Sequence, residues 1–221
     1  MKNRALVLLA GALVAAGCGH GDGRPAAPTP AARMALTVYE LRGGLLRPHV
    51  VHVRKTQSVV SAALGALGVE ASVRVVGGTA RVALPKASDA RVAAIVFTLT
   101  QFPTVERVDV AGRRGLTRED FATYVPPILV DRPAPGARVA RTFHVSGTAS
   151  VFEATLVVQT VRDGKRLERK TVTASEGAPG RGTFDTTMRA TPGRLTIRAF
   201  APSAVDGSPQ HEVDVDVEVK P

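Results

Sequence analysis

Apolar and polar residues alternate along several parts of the chain, and this alternation predicts β-strands. The first two such segments are residues 36–41 and 50–53. The turn region between them contains Gly43, Gly44 and Pro48, residue types that favour turns. We therefore expect the folded part of the chain to open with a β-hairpin.

Helical periodicity follows in two segments. The first begins after Thr56, a residue type that caps helices, and ends at Gly68, which suits a left-handed C-cap. The second begins at Ser88 and breaks at Pro103. Its apolar stripe contains Val92, Ile95, Val96 and Leu99, and its solvent side is expected to contain Arg91, Thr98 and Gln101.

The segment between these helices predicts a second hairpin, because Gly77–Gly78 can take the positive φ angles of a two-residue turn. A strand over 105–111 follows the second helix. A short third helix is indicated by Thr117 with Asp120 three residues later, a variant of the capping box that ends before Pro126–Pro127. The pattern over 34–125 therefore predicts an α+β domain with a mixed sheet and two to three helices.

The remaining residues, 126–221, contain strand and turn signals at intervals of about 8 to 12 residues, which is typical of β-sandwiches. This spacing predicts an all-β, immunoglobulin-like sandwich. Its candidate strands are 128–131, 139–145, 152–161, 166–174, 182–190, 195–200 and 212–219.

The last two of these strands carry complementary charges. Carboxylates alternate with valines at Glu212, Asp214, Asp216 and Glu218. On the preceding strand, polar and basic residues alternate with apolar ones at 194–198. Because alternate residues share one face of a strand, we predict that the two charged faces pair outside the core. A calcium site on the acidic face is the less favoured alternative.

The N-terminal segment 1–17 is typical of a secretory signal peptide, with Lys2 and Arg4 ahead of an apolar run. That run is shorter than the roughly 20 apolar residues of a membrane-spanning helix. The segment 18–33 is rich in proline, glycine and alanine, and it reads as a flexible tether. We therefore expect an exported protein whose folded part begins near residue 34.

The chain's only cysteine, Cys18, follows Val14-Ala15-Ala16-Gly17. This string resembles the lipobox of bacterial lipoproteins, although Ala15 stands where leucine is usual. The resemblance implies that Cys18 carries a diacylglyceryl group and becomes the N-terminus of the mature protein. Its lipid would then anchor the protein to the outer face of the cell membrane. The alternative is an ordinary signal peptide cut near Ala16, which would leave a free thiol.

The net charge is +10, and it falls to +8 without Lys2 and Arg4. No run of five or six like charges occurs, so the sequence does not indicate a nucleic-acid partner. His49 and His52 lie on one predicted strand with side chains on opposite faces, which disfavours a shared metal. We therefore predict no metal and no cofactor.

Two pairs of residues contain the residue types of a catalytic site. Ser146 and His144 lie close in sequence, but an extended strand separates their reactive atoms and no nucleophile elbow is present. Glu153 and Glu176 could form a glycosidase pair, yet nothing places them around a substrate cleft, and structural roles at strand ends are favoured. We therefore predict no catalytic residue.

The segment Ile95 to Pro103, followed by Val105 and the strand and turn at 108–112, resembles the GerMN domain of sporulation and spore germination proteins. The strand 36–41 opens this domain in the expected place. The region 67–72 is shorter than in that family.

The second half of the chain resembles the Gmad2 immunoglobulin-like domain in the segments 145–154 and 174–179 and at Asp206–Gly207. Together the two resemblances imply a non-enzymatic envelope lipoprotein that scaffolds assemblies outside the membrane. Its partner would be an envelope protein. The alternative is a carrier or wall-polymer-binding lipoprotein with an anionic or carbohydrate ligand, and an exported hydrolase is the least favoured reading.

Overall fold

The computed structural model describes residues 32–221. The signal peptide predicted for 1–17 and nearly all of the predicted tether, including Cys18, lie outside this range. Strands predominate over helices within it. No helix among residues 32–221 is long and apolar enough to cross a membrane.

The opening hairpin consists of β1, Arg33–Arg42, and β2, Leu45–Arg54, which pair antiparallel along their whole length. Its turn is Gly43–Gly44, with φ angles of 61° and 80°. The prediction that Pro48 belongs to the turn is wrong, because Pro48 lies within β2, opposite Tyr39. Proline is tolerated there because, among residues 32–221, β2 pairs with a strand on one side only.

A four-stranded mixed sheet completes the β-structure of the first half. It contains β3, Val73–Val76; β4, Thr79–Val82; β5, Arg107–Val110; and β6, Arg113–Leu116, in that spatial order. The β4–β5 pair is parallel and the other pairs are antiparallel. Gly77 and Gly78 both have positive φ, which confirms the predicted turn between β3 and β4.

Two α-helices accompany these sheets: α1, Val59–Ala66, and α2, Asp89–Leu99. The Ser88 side chain accepts a hydrogen bond from Arg91 N at 3.3 Å, which confirms the predicted cap of α2. The prediction of Thr56 as the cap of α1 is wrong, because the N-cap position belongs to Ser58, whose side chain makes no capping bond. Gly68 ends this helical segment with a φ of 67°, as predicted.

The stripe predicted for α2 is fully buried, but the prediction that Thr98 faces solvent is wrong, since its side chain is 0 % exposed. Helix α2 packs against β1 and α1 as well as against the mixed sheet, so it is buried on more than one side. The Thr98 hydroxyl is satisfied there by accepting a bond from Tyr39 N at 2.9 Å. Gln101, which was expected on the same side, is also partly buried.

The third predicted helix is a 3-10 helix, Glu119–Tyr124. The prediction of Thr117 as its cap is wrong, because the N-cap position belongs to Arg118 and no side chain caps the helix. The other half of the predicted capping box is present, since Asp120 accepts a hydrogen bond from Thr117 N at 2.8 Å.

The second half of the chain is a β-sandwich, as predicted. Its strands are β7, Ile128–Arg132; β8, Arg138–Val139; β9, Thr142–Ala149; β10, Thr155–Arg162; β11, Lys165–Thr173; β12, Gly182–Arg189; β13, Gly193–Pro202; and β14, Pro209–Val219. One sheet has five strands in the order β11-β10-β13-β14-β8, and the other has three in the order β12-β9-β7.

Two of the predicted strands differ in detail. The segment predicted as one strand at 139–145 is divided into β8 and β9, which belong to different sheets. The segment 152–154, predicted as the start of a strand, is a 3-10 turn in which Glu153 and Ala154 have positive φ.

The pairing predicted for the last two strands is confirmed. Arg198 and Asp214 are Cα partners, and the Arg198 guanidinium donates two hydrogen bonds to the Asp214 carboxylate at 2.8 and 2.7 Å. Thr196 donates to Asp216 at 2.7 Å. The valines between these acidic residues face the core of the sandwich.

The buried side chains form two clusters, and β7 contributes to both of them. Leu129 packs in the cluster formed by the first half, whereas Ile128 and Val130 pack in the cluster of the sandwich. Strand β7 is therefore the element through which the two halves share packing.

Candidate binding site

The histidine side chains of the described residues do not come together at one site. His49 Nε2 lies 3.6 Å from Glu40, and His144 Nδ1 lies 2.9 Å from Asp185 on the exposed surface. Within residues 32–221, no group of three or more histidine, cysteine, aspartate or glutamate side chains could hold a metal ion.

Glu153 and Glu176 are both exposed, and they lie in loops at one end of the sandwich. A Cβ atom added to Gly182 would lie 2.2 Å from the Glu176 backbone nitrogen. The backbone of the Glu176 loop therefore packs directly on the start of β12, which is a structural role for the segment 174–179.

A polar cleft of about 830 Å³ opens where the first half meets the sandwich. Strand β1 and the end of α2 form one wall, and strands β7, β9 and β12 form the other. Hydroxyl-bearing residues are prominent among the lining residues, which include Thr37, Tyr39, Thr100, Gln101, Arg118, Asp131, Ser146, Thr148 and Thr183.

Three of these residues form a charged cluster that we call the clasp: Tyr39, Arg118 and Asp131. Tyr39 comes from β1, Arg118 precedes the 3-10 helix, and Asp131 belongs to β7. The Tyr39 hydroxyl donates a hydrogen bond to Asp131 Oδ1, and Arg118 Nη1 donates to the same oxygen at 3.1 Å. One carboxylate oxygen of the sandwich therefore holds two side chains of the first half.

The rest of the Arg118 guanidinium also has partners in the first half. Its Nε donates to Thr100 Oγ1 at 3.0 Å, and its Nη2 donates to the Phe97 carbonyl at 3.2 Å. The guanidinium carbon lies 5.3 Å from the centroid of the Tyr39 ring and 4.8 Å from that of Phe97, distances typical of cation–π contacts. These contacts fix the orientation of Arg118 toward Asp131.

Tyr39 is held as firmly as Arg118. Its side chain is buried, and its ring meets Phe97 in an edge-to-face arrangement with centroids 5.6 Å apart. Burial, and next the negative charge of Asp131, raise the pKa of the Tyr39 phenol above its usual range, while Arg118 lowers it. The phenol is therefore a neutral hydrogen-bond donor at physiological pH.

Asp131 reaches the clasp because β7 has a β-bulge. Val130 pairs with Gly147 and Arg132 pairs with Ser146, so Asp131 is the extra residue between two pairs. A bulge of this kind redirects the side chain of the extra residue. The close approach of β7 also depends on Gly147, since a Cβ there would lie 2.0 Å from the Leu129 carbonyl oxygen.

A second arginine holds the connection between the halves from the side of the sandwich. Arg181 Nη2 donates to the Pro126 carbonyl at 2.8 Å, and its Nη1 donates to Thr148 Oγ1 at 3.2 Å. Burial lowers the pKa of Arg181, and the charge of Asp131 acts in the opposite direction. The segment leading into β7 is therefore bonded to the sandwich just before β7 begins.

The polar groups of the clasp bond chiefly to one another and to nearby backbone and hydroxyl oxygens. This arrangement suits a structural connection between the two halves rather than a catalytic centre. The reason is that every strong hydrogen-bond donor of the clasp is already directed at an acceptor within the protein. The hydroxyl groups of the neighbouring cleft offer donors and acceptors for a polar ligand.

Two family models match the chain. Residues 24–111 match the family described as sporulation and spore germination, and residues 127–208 match the family described as the immunoglobulin-like domain of bacterial spore germination. These matches confirm both resemblances found in the sequence. Neither family is known as a family of enzymes. No curated protein matches the chain.

Proposed function

We propose that this protein is a non-enzymatic lipoprotein of the cell envelope that binds or scaffolds other components outside the membrane. The observation that carries this proposal is the clasp, which joins two domains of sporulation- and germination-related type. Because Asp131 of β7 bonds to Arg118 of the first half, and Arg181 bonds the segment before β7 to the sandwich, a component that contacts both domains would meet them at a constant separation.

The proposal includes export and attachment through Cys18, since the sequence 14–18 resembles a lipobox. Two or three acyl chains hold a protein stably at a membrane, because each buried methylene contributes about 0.8 kcal/mol.

We predict that Cys18→Ser releases the protein from the membrane fraction into the soluble fraction of the cell. The physical reason is that the substitution removes the atom that receives the lipid. Fractionation followed by immunodetection measures the change, and Ser61→Ala serves as a control that leaves the anchor intact. Membrane retention of Cys18→Ser after a high-salt wash would contradict the lipoprotein proposal.

The sandwich offers a route for protein docking. Strand β11 ends the five-stranded sheet, so among residues 32–221 no strand pairs with its outer edge. Its charged residues include Arg166, Arg169 and Lys170, and charges of this kind on an edge strand discourage unspecific pairing. A partner strand with complementary acidic residues could still add to this edge through main-chain hydrogen bonds.

Wall-polymer binding is the second candidate function, and the excess of basic residues favours it. An attraction between exposed charges weakens when salt shortens the Debye length from about 10 Å at 0.1 M to about 3 Å at 1 M. Docking of a protein partner through apolar and main-chain contacts weakens less at high salt than this attraction between charges does.

We predict that the protein binds isolated cell wall weakly and loses it in a wash at about 1 M salt, whereas protein partners captured by crosslinking in cells survive the same wash. Sedimentation with cell wall and identification of crosslinked products measure the two outcomes. Wall binding that persists in high salt, with no protein partner recovered, would replace scaffolding by polymer binding as the main function.

A further inference from the structure

One end of the sandwich gathers basic side chains, and we call it the basic end. Seven strands meet there: β10, β12 and β14 end at it, β9, β11 and β13 begin at it, and the short strand β8 pairs with the end of β14. The register places them together, because Thr142 pairs with Arg189, Arg162 with Lys165, and Gly193 with Val219. The basic residues at these strand ends are Arg138, Arg141, Arg162, Lys165, Arg166, Arg189, Arg194 and Lys220.

The two sheets are also joined at this end. Within the three-stranded sheet, Ala190 N donates to the Arg141 carbonyl at 2.9 Å, which extends the pairing of β9 and β12 toward this end. Glu168 of β11 accepts a hydrogen bond from Arg189 N at 2.6 Å, which bridges the two sheets. The basic residues of both sheets therefore border one surface.

Carboxylates compensate part of this charge. The acidic residues of this end are Asp163, Glu168, Asp216 and Glu218, against eight basic residues, and Arg138 Nε lies 3.3 Å from Glu218. The Arg162 guanidinium is hydrogen bonded to neutral oxygens, the Arg194 carbonyl at 3.0 Å and both oxygens of Thr191. Within residues 32–221, none of the remaining basic side chains of this end lies within 4.0 Å of a carboxylate.

The opposite end of the sandwich has the reverse character. Its loops carry Glu153, Glu176 and Asp206. They also carry the exposed apolar side chains Phe152, 70 % exposed, and Val205, 95 % exposed. The charge of the sandwich is therefore separated between its two ends, and the most exposed apolar groups lie away from the basic one.

We infer that the basic end binds a linear polymer of phosphodiesters. Arginine predominates there, and its planar guanidinium matches the geometry of phosphate oxygens. The side chains emerge from neighbouring strands, which are about 4.8 Å apart, so a single extended polyanion can contact several of them at once. Insertion into a membrane would instead call for apolar anchors beside the charges, and Phe152 and Val205 are at the wrong end for that.

This inference rests on the second candidate function and gives that function a location. The test uses the full chain in nonionic detergent and beads that carry poly(glycerol phosphate). The basic-end variant changes four exposed side chains: Arg141→Gln, Lys165→Gln, Arg166→Gln and Arg189→Gln. The control variant removes the same charge from exposed positions of the first half: Arg54→Gln, Arg74→Gln, Arg107→Gln and Arg114→Gln.

We expect the basic-end variant to bind the beads at least about tenfold more weakly than the unchanged protein. Each of the four exposed contacts contributes a factor of about two to the affinity, and these factors multiply. The slope of log affinity against log salt should also fall by about 3, since each lost phosphate contact removes part of the counterion release. The control variant should lose less than about threefold, and equal thermal midpoints would show that all three proteins are folded.

Equal losses in the two variants would overturn the inference, because the attraction would then come from diffuse charge, while polymer binding itself would stand. Failure of the unchanged protein to bind the beads would overturn both the inference and the second candidate function. Phosphatidylglycerol added to the micelles supplies the same headgroup chemistry as a lipid. If it releases the protein as effectively per phosphate as free polymer does, a membrane surface replaces the polymer as ligand.

Discussion

Gly147→Ala is expected to lower the free energy of unfolding by at least about 3 kcal/mol, although it adds a single methyl group. The new Cβ would lie 2.0 Å from the Leu129 carbonyl oxygen and 3.0 Å from Val130 Cα. Both atoms belong to the backbone of β7, so relief requires that β7 move away from β9. Urea denaturation of the purified protein measures the change.

Gly65→Ala is the matched control, because no atom lies within 4 Å of its added Cβ and the residue is inside α1. Alanine is favoured over glycine in helices by about 1 kcal/mol, so this variant should be equally stable or more stable. A flexible β7 would instead move aside, and the unfolding free energy of Gly147→Ala would then stay within about 1 kcal/mol of that of the unchanged protein. This result would mean that the close approach of β7 to β9 has no energetic role.

Features of the fold that depend on local pattern could be predicted from the sequence. The β13–β14 pairing is an example, because alternation alone assigns Arg198 and Asp214 to the outer faces and the intervening valines to the core. Gly77–Gly78 and the Ser88 cap are further examples, since each is governed by the conformation of a few neighbouring residues. In these segments the local preference and the tertiary structure agree.

The clasp could not be predicted in this way. Tyr39 and Asp131 are 92 positions apart, and their contact depends on a bulge that no local signal marks. A strict period of two would have assigned Asp131 to one face of a regular strand, whereas the bulge turns it toward the first half. Thr98 was assigned wrongly for a related reason, because β1 covers the side of α2 that an amphipathic pattern leaves to solvent.

Asp131→Asn should lower the free energy of unfolding by about 2 kcal/mol. The substitution removes the charge that Arg118 and Tyr39 share at one oxygen. Losing one partner of a fully buried ion pair costs about 3 to 5 kcal/mol. The side chains of Arg118 and Asp131 are 29 % and 22 % exposed, so solvent compensates part of that cost.

Asp185→Asn is the matched control, since Asp185 also lines the cleft and pairs with a basic group, but its side chain is 60 % exposed. Its effect should stay within about 0.5 kcal/mol.

Combining Asp131→Asn with Tyr39→Phe then tests whether the clasp acts as a unit. The double variant should be more stable than the sum of the single losses predicts, by at least about 0.5 kcal/mol, because Tyr39→Phe removes the donor of a hydrogen bond that Asp131→Asn already weakens by neutralising its acceptor. Strictly additive losses of unfolding free energy would mean that Tyr39 and Asp131 stabilise the two halves independently. In that case β7 would be held to the first half by apolar packing around Leu129 rather than by the clasp.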